Sequence, residues 1–270
     1  MKIHQLELSG IHHIHDALRA PFTDQFFIWW SYVDTPWFSI LFLATIIYLF
    51  NRKEGISLLF LFIISGVVNI LLKQYFHMPR PCQIDPSVAI LCLKSFGFPS
   101  GAAQTGTLIA GAAFVKCRHM GYKIAAAIFA LFLYFSRIYL GVHFFTDILG
   151  GIAVGIGLIF IYVKLFPLIE KHWAKFAYLL TALLFLIGGA KMLAVGGITL
   201  GIGIGLQLSR GQKLPSSRPT RILTLFTVLI GTYGLIYLGL THTAIQPLAL
   251  LLAGLWFSHL GSLLTHQIKT

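Results

Sequence analysis

The chain has 270 residues, of which 57% are hydrophobic and 10% are charged, and its mean hydropathy is +0.83. These values lie far outside the range of soluble globular proteins and indicate a chain that folds in a lipid bilayer. The formal net charge of +12 therefore requires no nucleic-acid partner, because basic residues flank membrane helices and contact anionic lipid headgroups.

Apolar stretches of membrane-spanning length recur along most of the chain. Before them, residues 1–20 hold charges and histidines where a signal peptide would be apolar. The aromatic residues of 21–36 favour the headgroup level, although this stretch could also simply begin the first span. Predicted helices lie near 37–51, 56–76, 100–116, 122–140, 144–166, 176–190, 192–208, 221–240 and 244–264. We therefore expect an all-α polytopic membrane protein with about nine transmembrane helices.

The lysines and arginines are distributed unevenly between the two ends of these helices. In a nine-span arrangement, 13 of the 20 lie on one side of the membrane and 7 on the other. Because cytoplasmic loops carry an excess of basic residues, the side with 13 should be cytoplasmic. We expect a protein integral to the cytoplasmic (inner) membrane. The second and fourth helices should then end, and the third and fifth begin, on the extracytoplasmic side.

The strongest chemical pattern is Ser136-Arg137-x5-His143-x3-Asp147, between the fourth and fifth predicted helices. Residues four apart share one face of a helix, so Asp147 can accept a hydrogen bond from one imidazole nitrogen of His143. The other nitrogen is then free to act as a nucleophile. Taken alone, the pair could also be a helix-capping carboxylate beside an interfacial histidine.

Two cations follow the second predicted helix in the pattern Lys73-x6-Arg80-Pro81. Arg80 lies between two prolines, which end the helix and stiffen the chain. A guanidinium suits a bidentate grip on a phosphoryl group, and a lysine adds a point charge. By itself, a lysine that closes an apolar helix is more commonly a snorkelling anchor.

The segment Pro99-Ser100-Gly101 precedes the third predicted helix. Ser100 can cap this helix, and the free N–H groups of its first turn, Gly101 included, form an anion site. A plain N-cap is the alternative. All three patterns fall at the predicted extracytoplasmic side, so we expect three cations, a glycine turn and an imidazole–carboxylate pair to meet there.

These motifs resemble the type 2 phosphatidic acid phosphatase and haloperoxidase superfamily. The resemblance covers roughly residues 36–166 and implies a phosphatase core of six-helix type. Residues 1–35 would be an extracytoplasmic or interfacial segment, and residues 167–270 would add further transmembrane helices. The overall layout is also loosely similar to the glucose-6-phosphatase branch of that superfamily.

The resemblance also implies the chemistry of the site. His143 would become phosphohistidine with Asp147 as its orienting partner, and no metal or other cofactor would be needed. The phosphoryl oxygens would be bound by Lys73, Arg80, Ser100, Gly101 and Arg137. The expected partners are the lipid bilayer and a membrane lipid substrate, with no nucleic acid; the oligomeric state is left open.

One residue departs from the family pattern. Ala102 stands where the family has a histidine that protonates the leaving group, a contribution of roughly 10²–10⁴-fold. That loss matters most for an alkoxide and least for a phosphate leaving group, whose last pKa is about 6. We therefore expect a lipid phosphate or diphosphate substrate, such as phosphatidic acid or undecaprenyl diphosphate, with diphosphates losing least. His77 is a candidate substitute acid, and a catalytically impaired lipid-phosphate-binding protein is the alternative.

Cysteines and clustered histidines complete the sequence pattern. Cys82 and Cys92 share an extracytoplasmic loop, where an oxidising compartment favours a disulfide over two unpaired thiols. The cluster His12, His13 and His15 has no accompanying cysteine or carboxylate pattern of metal spacing. We expect these to be surface histidines and no metal site to form.

Overall fold

A computed structural model of the chain describes residues 2–210, 212 and 214–267, and all regular secondary structure in these residues is helical. In chain order the α-helices are α1 (Lys2–Leu18), α2 (Pro21–Trp30), α3 (Pro36–Thr45), α4 (Arg52–Phe76), α5 (Pro81–Ile84), α6 (Gly101–Lys116), α7 (Met120–Tyr139), α8 (Phe145–Ile169), α9 (Trp173–Ile187), α10 (Ala190–Leu208), α11 (Arg218–Thr241), α12 (Gln246–Leu255) and α13 (Gly261–Gln267). π-helical turns follow α3 (Ile46–Phe50) and join α12 to α13 (Trp256–Leu260). The expected all-α fold is confirmed.

Length and apolar composition alone support only part of the nine predicted membrane spans. Among the described residues six helices qualify, or up to seven if the pair Pro21–Asp34 and Pro36–Phe50, bent by 61°, forms one broken span. The six are Arg52–Ile84, Met120–Tyr139, Phe145–Pro167, Ala190–Leu208, Arg218–Thr241 and Thr243–Leu264. The count of nine is not confirmed, because α6 has 16 residues and α9 has 15, short of the roughly 20 that a bilayer requires.

Residues 1–35 contain two α-helices where the sequence pattern predicted none. The inward positions of α1 are Glu7, Ile11 and His15, which are 7%, 0% and 6% exposed, whereas Leu6 is 75% exposed. Two of the three inward side chains are ionisable, and the helix is too polar overall to be found by the apolar runs of membrane-spanning length that located the other helices. The buried polar contacts of α1 explain why this helix escapes sequence reasoning.

The chain folds into two compact units. The first comprises residues 1–38 and 61–164, and the second comprises 39–60 and 165–270. All of the motif residues lie in the first unit. Its core around the motifs is formed by Ile11, Val88, Ala103, Ile138, Phe144 and Ile148. The expected division into 1–35, 36–166 and 167–270 stays a prediction.

In the second unit, helices α10 and α12 pack closely at glycines. A Cβ atom on Gly201 would collide with the carbonyl oxygen of Leu251, and one on Gly254 would collide with that of Ile198. Small residues of this kind let membrane helices approach backbone to backbone. The Tyr48 hydroxyl also donates a 2.5 Å hydrogen bond to the carbonyl of Phe257, which ties the two π-helical turns together.

Candidate active site

The first motif is anchored by the loop that precedes α6. The Lys73 Nζ atom donates to the carbonyls of Phe96 at 2.7 Å and Gly97 at 2.9 Å. Arg80, only 2% exposed, donates from Nε to the Ser95 carbonyl at 2.6 Å and from Nη2 to the Ser95 hydroxyl at 2.9 Å. Its Nη1 donates to the Val142 carbonyl at 2.6 Å. The guanidinium is therefore fixed on two sides rather than free to swing.

A disulfide closes the loop beside Arg80. Cys82 and Cys92 are bonded, with their Cα atoms 5.8 Å apart, inside the usual range of roughly 4.4–6.8 Å. The bridge lies three residues before Ser95, so it restrains the segment that grips the guanidinium. The expected pairing is thus present in the structure.

The second motif begins α6 against the third motif. Ser100 is fully buried, and its Oγ accepts from the backbone N–H of Ala103 at 3.3 Å. Its own N–H donates to the carbonyl of Asp147 at 2.9 Å. A Cβ on Gly101 would lie 3.3 Å from the side-chain oxygen of Asn69, so a larger residue would crowd this helix start. The first turn of α6 is thereby tied to the first turn of α8, which carries Asp147.

The third motif forms the pair that the spacing predicts. His143 Nδ1 lies 3.1 Å from Asp147 Oδ2, which also accepts from the N–H of Phe144 at 2.9 Å. His143 Nε2 lies 3.2 Å from Arg80 Nη1. Because Asp147 accepts at Nδ1, the tautomer with its proton on Nδ1 satisfies the carboxylate and leaves the Nε2 lone pair facing Arg80.

The surroundings of His143 keep its imidazole neutral. Burial, together with the positive charges of Arg80, Lys73 and Arg137, holds the pKa of His143 well below its ordinary value of 6.5. Burial and like charges both disfavour the protonated form. The ring is therefore a free base with an available lone pair at neutral pH.

Arg137 supplies a third fixed cation. Its side chain is 3% exposed, and Nη1 lies 3.5 Å from Asp34 Oδ2, while Nε lies 3.1 Å from the Ser136 hydroxyl. The remaining nitrogen, Nη2, is buried and makes no hydrogen bond within the described part of the chain. A buried guanidinium donor without an acceptor is costly, and an anionic oxygen would satisfy it.

The position of Ala102 is filled by packing. Ala102 is 0% exposed. Two residues further, Gln104 donates to the Ser65 hydroxyl at 2.6 Å and accepts from the Asn69 amide at 3.1 Å. Asn69 also donates to the Pro99 carbonyl at 3.2 Å. Gln104 and Asn69 therefore hold the start of α6 beside the buried Ala102.

His77 lies at the outer edge of the loop. It is exposed and has a positive φ of 51°. Its Nδ1 is 3.4 Å from the Tyr75 carbonyl, and its ring centroid is 4.6 Å from that of Phe96. These contacts are with neighbours in the loop rather than with the buried pair.

Sequence reasoning missed three residues that contact the motifs, namely Glu7, Asp34 and Ser95. Glu7, on α1, accepts from the N–H of Thr146 at 2.8 Å and so caps the first turn of α8. Only eight Asp and Glu residues occur in the chain. A carboxylate within an apolar segment is costly unless it is paired, and this is the signal that could have identified Asp34.

Of the three clustered histidines of α1, His15 differs from its expected exposure. His15 is 6% exposed, and its Nε2 lies 2.7 Å from the Tyr139 carbonyl, so the expectation of a surface histidine is wrong there. His12 Nε2 lies 2.9 Å from Asp85 Oδ2. Both contacts arise because α1 packs onto the motif-bearing unit, which the sequence pattern did not reveal.

Together these features define a helical membrane protein with an imidazole–carboxylate pair whose Nε2 faces the buried guanidinium of Arg80, and with Arg137 and Lys73 as further cations of the same unit. Residues 54–171 match the family model described as the PAP2 superfamily, which confirms the resemblance seen in the motifs. The chain is 32% identical over 123 residues to phosphatidylglycerophosphatase B of Bacillus subtilis (strain 168), an alignment that covers 42% of this chain. It spans 59% of the length of that relative.

A solved structure shares the fold of the matched region. The crystal structure of Aquifex aeolicus LpxE superimposes with a TM-score of 0.53 at 27% sequence identity. The superposition covers 59% of this chain and 95% of that one. The remaining part of this chain therefore has no counterpart in LpxE.

Proposed function

We propose that this protein is an integral membrane lipid phosphatase that hydrolyses a phosphoric ester or diphosphate through a phosphohistidine. The observation that carries the proposal is the arrangement around His143: Nδ1 against Asp147 at 3.1 Å and Nε2 against Arg80 at 3.2 Å. The buried Nη2 of Arg137, which has no hydrogen-bond partner among the described residues, adds a hydrogen-bond donor for an anion.

Each residue of the site has a separate role in the proposed reaction. His143 Nε2 attacks phosphorus in line, while Asp147 holds the ring and stabilises the charge that develops on it. The cations of Lys73, Arg80 and Arg137 offset the charge of the phosphoryl oxygens. The N–H of Gly101 at the start of α6 adds a donor to the same group, whereas the N–H of Ser100, also expected to bind phosphate, donates to the carbonyl of Asp147 instead. Water, or an acceptor in the case of a phosphotransferase, then resolves the phosphohistidine.

The substrate class follows from the membrane setting and from the relative. The name of the Bacillus protein is that of an enzyme acting on a phosphorylated glycerolipid, which supports a lipid phosphate. A lipid diphosphate is supported by Ala102, since a phosphate leaving group needs a proton donor least. Undecaprenyl diphosphate and phosphatidic acid represent the two classes.

The location of the site is part of the proposal. We place the protein in the cytoplasmic membrane with nine spans and with the motifs at the extracytoplasmic side, on the strength of the uneven distribution of basic residues. The disulfide beside Arg80 supports an oxidising compartment. Cysteine accessibility labelling of intact cells, at single cysteines placed in the loops after α4 and α6, tests this orientation.

The alternative is a lipid-phosphate-binding protein that has lost activity through Ala102. The pairing of His143 with Asp147 argues against it, because binding a phosphate needs cations and not an oriented nucleophile.

The discriminating experiment is phosphate release by the purified protein from phosphatidic acid, phosphatidylglycerophosphate, undecaprenyl phosphate and undecaprenyl diphosphate in detergent micelles. We expect release by the wild type and none by His143→Ala, which should still bind the lipid. Equal release by the two proteins on every lipid would refute the proposal.

A further inference from the structure

The missing histidine of the second motif leaves the proposed reaction without its usual proton donor. Because Ala102 is completely buried, a replacement donor must come from another part of the fold. The inference below rests on the proposed phosphatase function and asks which residue protonates the leaving group.

Three candidates near the site face away from the leaving group. Asp147 is occupied by the imidazole and by the N–H of Phe144. Glu7 is bonded to the N–H of Thr146, next to Asp147 and so on the Nδ1 side of the ring. An in-line attack by Nε2 expels the leaving group on the opposite side of the phosphorus atom. Asp147 and Glu7 make their contacts on the Nδ1 side of the ring and not at that position. His77 lies exposed in the outer loop against Phe96.

Asp34 contacts Arg137, one of the proposed phosphate-binding cations. It ends a short 3-10 turn (Ser31–Asp34) that Thr35 fixes by donating from its N–H and its hydroxyl to the Tyr32 carbonyl, at 3.1 and 2.6 Å. Its Oδ2 lies 3.5 Å from Arg137 Nη1, and its side chain is 24% exposed where that of Arg137 is 3%. The carboxyl group is thus held at the accessible edge of the guanidinium.

The charges around Asp34 are those that would bind the phosphoryl group. Asp34 interacts electrostatically with Arg137, Lys73 and Arg80, the three cations of the motifs. A phosphate bound at the buried Nη2 of Arg137 would share its guanidinium with Asp34, whose Oδ2 lies 3.5 Å from Nη1. The loose 3.5 Å contact with Arg137 leaves oxygen lone pairs of the carboxyl group free to carry and deliver a proton.

We propose that Asp34 is the general acid and base that replaces the missing histidine. In the first step, the His143 Nε2 lone pair forms the P–N bond, the bond from phosphorus to the leaving oxygen breaks, and that oxygen takes the proton of Asp34. In the second step, water attacks phosphorus, the P–N electron pair returns to Nε2, and the Asp34 carboxylate takes the proton of the water. Inorganic phosphate is released and Asp34 is again protonated.

Substrate binding itself supplies the condition for protonation. A phosphate monoester carries close to two negative charges at neutral pH. A phosphate bound to Arg137 competes with Asp34 for the positive charge that keeps Asp34 ionised. Two anions side by side also repel each other, which favours protonation of one of them. The bound state therefore favours a protonated Asp34 at the moment when the leaving group needs a proton. Monoesters become competent substrates despite Ala102.

The test compares Asp34→Asn with wild type on two substrates that differ in their need for an acid. Dioctanoyl phosphatidic acid releases an alkoxide, whereas p-nitrophenyl phosphate releases a stabilised anion that leaves without a proton. We expect kcat to fall by about 10²-fold on phosphatidic acid and by far less on p-nitrophenyl phosphate. The alkaline limb of the kcat profile on phosphatidic acid should also disappear. Asp16→Asn, the same change at an exposed position of α1, is the matched control and should change neither rate.

The outcomes separate this inference from the proposed function. An equal loss on both substrates, with a raised KM and an intact alkaline limb, would mean that Asp34 only positions Arg137 and would overturn the inference alone. A wild type that turns over neither substrate would overturn the proposed function and the inference with it. Asp34→Ala serves if the amide variant does not fold: a loss confined to phosphatidic acid supports the inference, and full retention on both substrates contradicts it.

Discussion

The two compact units of the chain bury polar side chains of different kinds. In the first unit the buried ionisable residues include Glu7, His15, Arg80, Arg137, His143 and Asp147. In the second unit the buried polar residues of the described chain are hydroxyl-bearing with one exception, His259. The buried hydroxyl-bearing residues of the second unit are Ser57, Thr181, Thr199, Ser209, Thr220, Thr224, Thr232, Ser258 and Ser262.

The hydrogen bonds of the two sets differ as well. Hydroxyls of the second unit mostly donate to a carbonyl one turn earlier in their own helix, as Thr181 does to Ala177 at 2.9 Å and Thr199 to Val195 at 2.8 Å. The charged groups of the first unit reach across the fold, as Arg80 does to Val142. A hydroxyl satisfied by its own helix serves packing, whereas a charge buried between elements fixes a geometry and marks a functional site. We therefore assign the chemistry to the first unit.

The largest predicted effect on kcat comes from comparing the same Arg→Lys change in the two units. Arg80→Lys should lower kcat by about 10²–10³-fold, because an ammonium cannot reproduce the fork that binds Ser95 and Val142 and faces His143. Arg52→Lys in the second unit is the matched control. Arg52 donates to the Ser209 hydroxyl at 2.8 Å, and its replacement should leave the rate nearly unchanged. Steady-state kinetics on phosphatidic acid measure both effects. Similar losses of kcat in the two variants would contradict the assignment of the chemistry to the first unit.

The sequence predicted the contacts of this site between residues that are close in the chain, but not the contacts between distant residues. Asp147 lies in the first turn of α8 and His143 four residues earlier, just before that helix, and Arg80 lies between prolines, so their geometry is determined by nearby residues. Glu7 meets Thr146 across 139 positions, and Asp34 meets Arg137 through a turn without a motif. Contacts of this kind depend on how α1 and the turn pack. The helix positions from α3 onwards followed from apolar length, whereas the span count did not, because α6 and α9 are short.

A smaller effect is predicted for the glycine packing of the second unit. Gly201→Ala would drive a Cβ into the Leu251 carbonyl and should lower the free energy of unfolding by about 1–3 kcal/mol. Gly234→Ala, on α11 with nothing within 4 Å of the added atom, should not destabilise the protein. Thermal unfolding in detergent measures both. The rate per folded molecule should be unchanged in each, and a selective loss of kcat in Gly201→Ala would give the second unit a part in the chemistry.

The smallest predicted effect is a pH dependence from His143. Its pKa in the folded protein lies well below 6.5, so between that pKa and 6.5 the unfolded chain binds a proton that the native protein does not. The free energy of unfolding should be insensitive to this group above pH 6.5 and should fall below it, by at most about 1.4 kcal/mol per pH unit. His143→Gln should remove that share of the acid sensitivity, and His13→Gln, at an exposed position, should not. Denaturant titrations between pH 7.5 and 5 would contradict the account if both variants kept the wild-type slope.

The central claim is that His143 carries the phosphoryl group during turnover. Rapid acid-free quenching of the purified protein with ³²P-labelled phosphatidic acid, followed by peptide mapping, tests it directly. The account predicts a label that is stable in base and labile in acid, located on the peptide that contains His143 and absent from His143→Ala. Turnover by the wild type with no such label, or a label that persists in His143→Ala, would contradict it.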